Sequence, residues 1–133
     1  MILSESKMTM EGMKMKIKLD KTDSEVIKSN ETYDVIDNTN LDKLIVSKTI
    51  LHPGKETSGH NHSGQEEVYI FTKGRGKMQV GDNTFNVTGE DVNIKSSVVL
   101  IPDGAFHKVW NTSPYKLNDD LEFICVFDGG RNH

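Results

Sequence analysis

The chain has one cysteine, three prolines and one tryptophan in 133 residues, and these scarcities narrow its possible classes. A single thiol, Cys125, rules out an intramolecular disulfide framework and points to a reducing, cytoplasmic setting. It sits between Ile124 and Val126, where a buried, inert thiol is expected. No apolar run approaches the roughly 18 residues of a membrane span, and Met1-Ile2-Leu3 is too short for the apolar part of a secretory leader. Positive charge is not in excess either. With a formal net charge of −4, neither nucleic acid nor an anionic membrane is an expected partner. Arginine is nearly absent: Arg75 and Arg131 are the only two. Nowhere do ten consecutive residues keep a 3.6-residue apolar period, so little helix is expected.

Short apolar runs between glycines are present instead. Residues 1–12 lack any sustained period and read as a flexible N-terminal segment. Residues 13–43 read as N-terminal strands and loops. Met13, Met15, Ile17 and Leu19 alternate with lysines and suggest a first strand over 13–19, and Tyr33 to Ile36 an irregular one. Leu44 to Leu51 reads as a buried strand ended by His52-Pro53-Gly54. Further runs follow at Val68–Phe71, Lys77–Val80 and Val98–Ile101, with a hairpin turn at Gly81-Asp82-Asn83. The last strand is expected over Leu121 to Phe127. Its two apolar faces suggest packing against a second sheet or subunit. Many short, evenly spaced strands indicate an all-β sandwich or barrel over 44–128, followed by a tail at 129–133.

Two stretches concentrate metal-ligating side chains. The first holds His60-Asn61-His62 and Glu67, and the second runs Pro102-Asp103-Gly104-Ala105-Phe106-His107. His60 and His62 are two apart, so on a strand both rings face one side. Glu67 has the wrong parity for the same strand, and Ser63-Gly64-Gln65 supplies the bend that returns it inward. His107, Val109 and Asn111 share a face beyond a turn in which Pro102 fixes φ and Gly104 permits a positive one. Three neutral imidazoles and a carboxylate carry a formal charge of −1, which a divalent ion brings to +1. That donor set suits Fe, Mn, Ni, Co or Zn and is too rich in nitrogen for Mg or Ca. His52 and His133 lie outside the pattern.

At these residues the sequence resembles the cupin superfamily. The first cupin motif is a glycine, five residues, His-x-His, three or four residues, Glu, six residues and Gly. It is met by Gly54, His60, His62, Glu67 and Gly74. The second motif, Gly, five residues, Pro-x-Gly, two residues, His, three residues and Asn, is met by Pro102, Gly104, His107 and Asn111. Ser96 stands where its leading glycine would be. The resemblance implies a single-domain cupin, a double-stranded β-helix or jelly-roll barrel, with one divalent transition metal held by His60, His62, Glu67 and His107. Glu66 competes for the carboxylate role, but the spacing to Gly74 and the strand parity favour Glu67.

A cupin barrel does not determine a reaction. Three classes stay open: metal-dependent isomerisation or epimerisation of a small sugar or sugar phosphate, oxygenation or lysis at non-haem iron, and binding without turnover. Gly59-His60-Asn61-His62 through Glu67-Val68-Tyr69 resembles the cupin-type sugar-phosphate isomerases, although the chain shows no phosphate-gripping cluster of Arg and Lys. Tyr69, Phe71, Phe123 and Cys125 are candidate pocket walls, and Glu56, Tyr69 and Lys77 candidate polar groups at its mouth. The partner expected is a small-molecule substrate. A homodimer is also expected, in which the strand over 13–19 joins a neighbouring sheet and Lys14, Lys16 and Lys18 discourage further pairing.

Overall fold

The structure, a computed structural model, describes residues 12, 14–89, 96–114 and 119–129. Nine antiparallel strands and no helix make up the regular structure of these residues. In chain order they are β1 (Glu25–Ser29), β2 (Tyr33–Asn38), β3 (Leu44–Leu51), β4 (Glu67–Lys73), β5 (Arg75–Val80), β6 (Asn83–Thr88), β7 (Val98–Ile101), β8 (His107–Asn111) and β9 (Leu121–Asp128). One sheet has the order β1-β2-β3-β9-β4-β7 and the other β6-β5-β8. This is the cupin double-stranded β-helix. Among the described residues no helix is long and apolar enough to cross a membrane.

Period-two burial turns one face of each central strand inward. Along β9, Leu121, Phe123, Cys125 and Phe127 are buried, while Glu122, Ile124 and Val126 on the other face are half-buried. Phe71, Phe123, Leu51, Met78, Leu121 and Val109 fill one end of the barrel. Phe123 stacks on Tyr69 at 5.1 Å and lies 5.0 Å from the Phe71 ring. Each such side chain contributes about 1.5–3 kcal/mol by leaving water. The other end is polar, and there the inward positions of β4 and β8 carry Glu67 and His107.

Two expectations need correction. Residues 14–19 form no strand. The Asp23 carboxylate instead takes the Lys18 amide and the Lys14 ammonium, each at 2.7 Å, and holds this stretch as irregular chain. The alternation there pairs with no strand among the described residues. Conversely, β1 carries no sequence signal because every one of its residues is exposed. Nearly all of the segment expected to be flexible at 1–12, and residues 130–133 of the tail, lie outside the described residues.

Candidate metal centre

The two motif stretches meet by backbone pairing. His60 and His107 exchange amide-to-carbonyl bonds of 3.1 and 2.9 Å as an antiparallel bridge. On one side of that bridge the Thr57 amide donates to Val109 O and the Asn111 amide to Lys55 O. On the other, the Gly104 amide donates to His62 O. Residues 55–62 therefore run beside β8 as extended chain rather than as a full strand. Thr57 pairs with Val109 but His60 pairs with His107, so the segment carries one extra residue at Ser58-Gly59, where Gly59 has φ +79°. Without this bulge the parity would bring Gly59, not His60, to the inner face.

Two turns complete the frame. Gly104 takes φ +76° in the Pro102-Asp103-Gly104 turn, and the Asp103 carboxylate accepts the Gly64 amide at 2.6 Å, tying that turn to the bend before Glu67. Gly74 ends β4 with φ +82°, and a Cβ there would run into the Asp120 carbonyl. Asn111, the last motif residue, is structural: its amide donates to Leu51 O and Asp119 O, both at 2.8 Å. Gln65 donates to Asp128 O at 2.8 Å. Spacing alone gave no role for Asp103 or Gln65.

His60, Glu67 and His107 offer ligand atoms that all lie within 4.8 Å of one another, a group that could hold a metal ion. Glu67 and His107 are buried and His60 is exposed. The fourth expected ligand, His62, sits beside this cluster. Its ring lies 4.6 Å from that of His60 and 6.4 Å from that of His107. Glu66 is exposed, which leaves Glu67 as the inward carboxylate.

The donor atoms fit a cation. His107 Nδ1 lies 3.0 Å from the Ala105 carbonyl, which places the proton on Nδ1 and leaves Nε2 as a lone pair. That Nε2 stands 2.8 Å from Glu67 Oε2, and both atoms are buried with no other hydrogen-bond partner. With His107 neutral, two lone-pair atoms so placed repel, and a shared cation, like a shared proton, removes the repulsion. Burial alone would raise the Glu67 carboxyl, but the His107 contact and the His60 and His62 rings outweigh it and hold the group below its ordinary 4.5. Burial lowers His107, while Glu67 and the Ala105 carbonyl raise it further, and its value ends above 6.5.

The cluster opens into a cavity of about 240 Å³ inside the barrel, walled in part by Tyr69, Val109, Phe123, Cys125 and Phe127. Burial pushes the Tyr69 phenol and the Cys125 thiol, which share a hydrogen bond, well above their usual ranges, so both stay protonated. Of the other candidates, Phe71 belongs to the core, Glu56 is exposed and paired with Lys108 at 3.1 Å, and Lys77 is exposed on β5; none of the three walls this cavity. His52 lies between Asp120, at 3.0 Å, and Asp34, at 3.6 Å, and takes no part in the cluster. His133 is outside the described residues. A larger groove of about 530 Å³ beside the Gly74 turn contains none of the candidate ligands.

A family model described as auxin binding protein matches residues 38–128. Over 77 residues, 56% of the chain, the sequence is 30% identical to auxin-binding protein 4 of Zea mays. The match spans only 36% of that maize protein's length. A double-stranded β-helix protein from Klebsiella pneumoniae superposes with a TM-score of 0.69 at 17% identity, covering 91% of this chain and 95% of that one. KdgF from Halomonas superposes with a TM-score of 0.66 at 12% identity, covering 89% and 97%. At these identities the structural likenesses establish the fold alone.

Proposed function

The chain belongs to the auxin-binding protein family within the cupin superfamily, and from that premise we propose that it is a metal-dependent enzyme acting on one small polar organic molecule. His60, His62, Glu67 and His107 hold a single divalent transition metal, and isomerisation or epimerisation is the reaction. The observation that carries this reading is the buried pair of His107 Nε2 and Glu67 Oε2, 2.8 Å apart, unpartnered and facing the cavity. Bound there, a divalent ion supplies Lewis acidity toward a carbonyl or carboxylate oxygen. The chain's own residues do the rest. Glu67 and His107 orient the donor set, and the Phe123 and Phe127 walls, with the Tyr69 ring, exclude water. Among the described residues Lys28 is the only Lys or Arg in the cavity wall, which favours a carbonyl or carboxylate compound over a sugar phosphate.

A second reading, binding without turnover, draws on the family description and on the maize relative's name. Deuterium exchange separates the two. Metal-loaded protein is incubated in D₂O with a panel of small 2-oxo acids and hydroxyketones and followed by proton NMR. An enzyme of the proposed class washes out the proton next to the carbonyl of at least one compound, and does so only with metal. Saturable binding with no exchange in any compound assigns the protein to the second reading.

A further inference from the structure

One carboxylate inside the barrel has no part in the metal cluster. Asp37, on the inner face of β2, lines the same cavity as His60, Glu67 and His107. Directly opposite it on β3 is Ser47, opposite Ser47 on β9 is Cys125, and opposite Cys125 on β4 is Tyr69. These four residues make one rung across the sheet. Glu67 is the next inward residue of β4, in the adjoining rung. Ser47 Oγ donates to Asp37 Oδ1 at 2.5 Å and fixes the carboxylate's orientation. A carboxylate has about four lone-pair sites, so one such bond leaves most of its acceptor capacity for a bound molecule.

The neighbours of Asp37 do not neutralise it. Among the described residues no Lys, Arg or His nitrogen comes within ion-pair distance of it. Lys28, the cation in the cavity wall, has its ammonium 5.6 Å from the centroid of the Tyr33 ring. The rest of the wall near Asp37 is Val35, Thr49, Cys125 and Phe127. A ligand bearing a donor would fill acceptor sites on this carboxylate that the wall leaves open.

The two ends of the cavity thus differ in sign. The ligand cluster with its ion carries a formal charge of +1, and the Asp37 end carries −1. Asp37 and Glu67 stand three strands apart, about 14 Å along a flat sheet, and inward side chains and barrel curvature shorten that gap. A volume of about 240 Å³ admits a chain of a few carbons. We propose that Asp37, oriented by Ser47, is a specificity-determining residue. It selects a small organic acid whose carboxylate reaches the metal and whose far end carries an amino or hydroxyl donor. This rests on the metal reading above.

The test uses metal-loaded full-length protein and two matched series of probes: butanoate, pentanoate and hexanoate against their terminal amino acids, 4-aminobutanoate to 6-aminohexanoate. Affinities are measured by calorimetry, and metal content is measured on the same samples. Wild type should bind at least one amino acid about tenfold or more tighter than the plain acid of equal length. Asp37→Ala should erase that preference while holding metal as wild type does and binding the plain acid at least as tightly. Asp37→Asn, which keeps an acceptor for Ser47 and removes the charge, should lose most of the preference in a protein that still folds. Metal and plain acid bound with no preference, a preference unchanged in both variants, or metal bound with neither series binding would overturn the Asp37 proposal alone. Absence of metal from wild type would overturn the metal reading and this proposal with it.

Discussion

At the scale of the residue, the candidate ligands are not equivalent. His107 is buried, has its tautomer set by Ala105 and faces Glu67 directly, whereas His62 stands beside the cluster. His107→Ala should abolish stoichiometric metal binding, and His62→Ala should weaken it about tenfold to a hundredfold while leaving the stoichiometry intact. Competition with a chromogenic chelator reads both. The pH dependence follows from the shifts. Because the folded His107 value lies above 6.5, its contribution to metal-free stability is full below 6.5 and is lost as pH rises through the folded value. Glu67 lies below 4.5, so its contribution is present above 4.5 and is lost as pH falls through its folded value. The pair therefore favours the metal-free fold most between about 4.5 and 6.5. Metal requires neutral His107, so affinity should fall roughly tenfold per pH unit below that group's folded value. A flat affinity from pH 8 to 5 would contradict the assignment.

At the scale of the element, the bulge at Ser58-Gly59 is what turns His60 inward. Gly59→Ala places a Cβ at φ +79° and against the Phe106 ring, which should cost about 1–3 kcal/mol in urea unfolding and weaken metal binding together. Gly81→Ala is the control: Gly81 has φ +57° with open space around it, so it should lose stability and keep metal affinity. The bulge also shows where legibility ends. Leu44 to Leu51 and Val98 to Ile101 were readable to the residue, because apolar runs between turn signals match buried strands. The motif spacings named Glu67 and His107, both of which the fold turns inward. The extra residue at 58–59 was invisible, since a bulge is set by the partner strand's register. So was Asp37, whose surroundings Asp37-Asn38-Thr39-Asn40 read as polar loop. The lysine-alternating residues 14–19 form no strand within the chain for the opposite reason, as period two records a capacity to pair and not a partner.

At the scale of the whole molecule, the six-stranded sheet is apolar on its outer face as well. Val98 and Leu100 on the edge strand β7 are 60% and 70% exposed, and they pair with Ile70 and Val68, which pair in turn with Ile124 and Val126. A second copy covering this face is the assembly we propose. Light scattering after gel filtration at micromolar concentration should give a dimer, and Leu100→Lys a folded monomer. A wild-type monomer would contradict this. The central claim, that the barrel holds a metal, has a more direct test: plasma mass spectrometry of protein purified without added metal, with thermal melts before and after chelation. The account predicts close to one divalent transition-metal ion per chain and a melting temperature that falls on chelation in wild type and not in His107→Ala. Metal-free wild type, which takes up none when metal is supplied and melts unchanged with chelator, would contradict it.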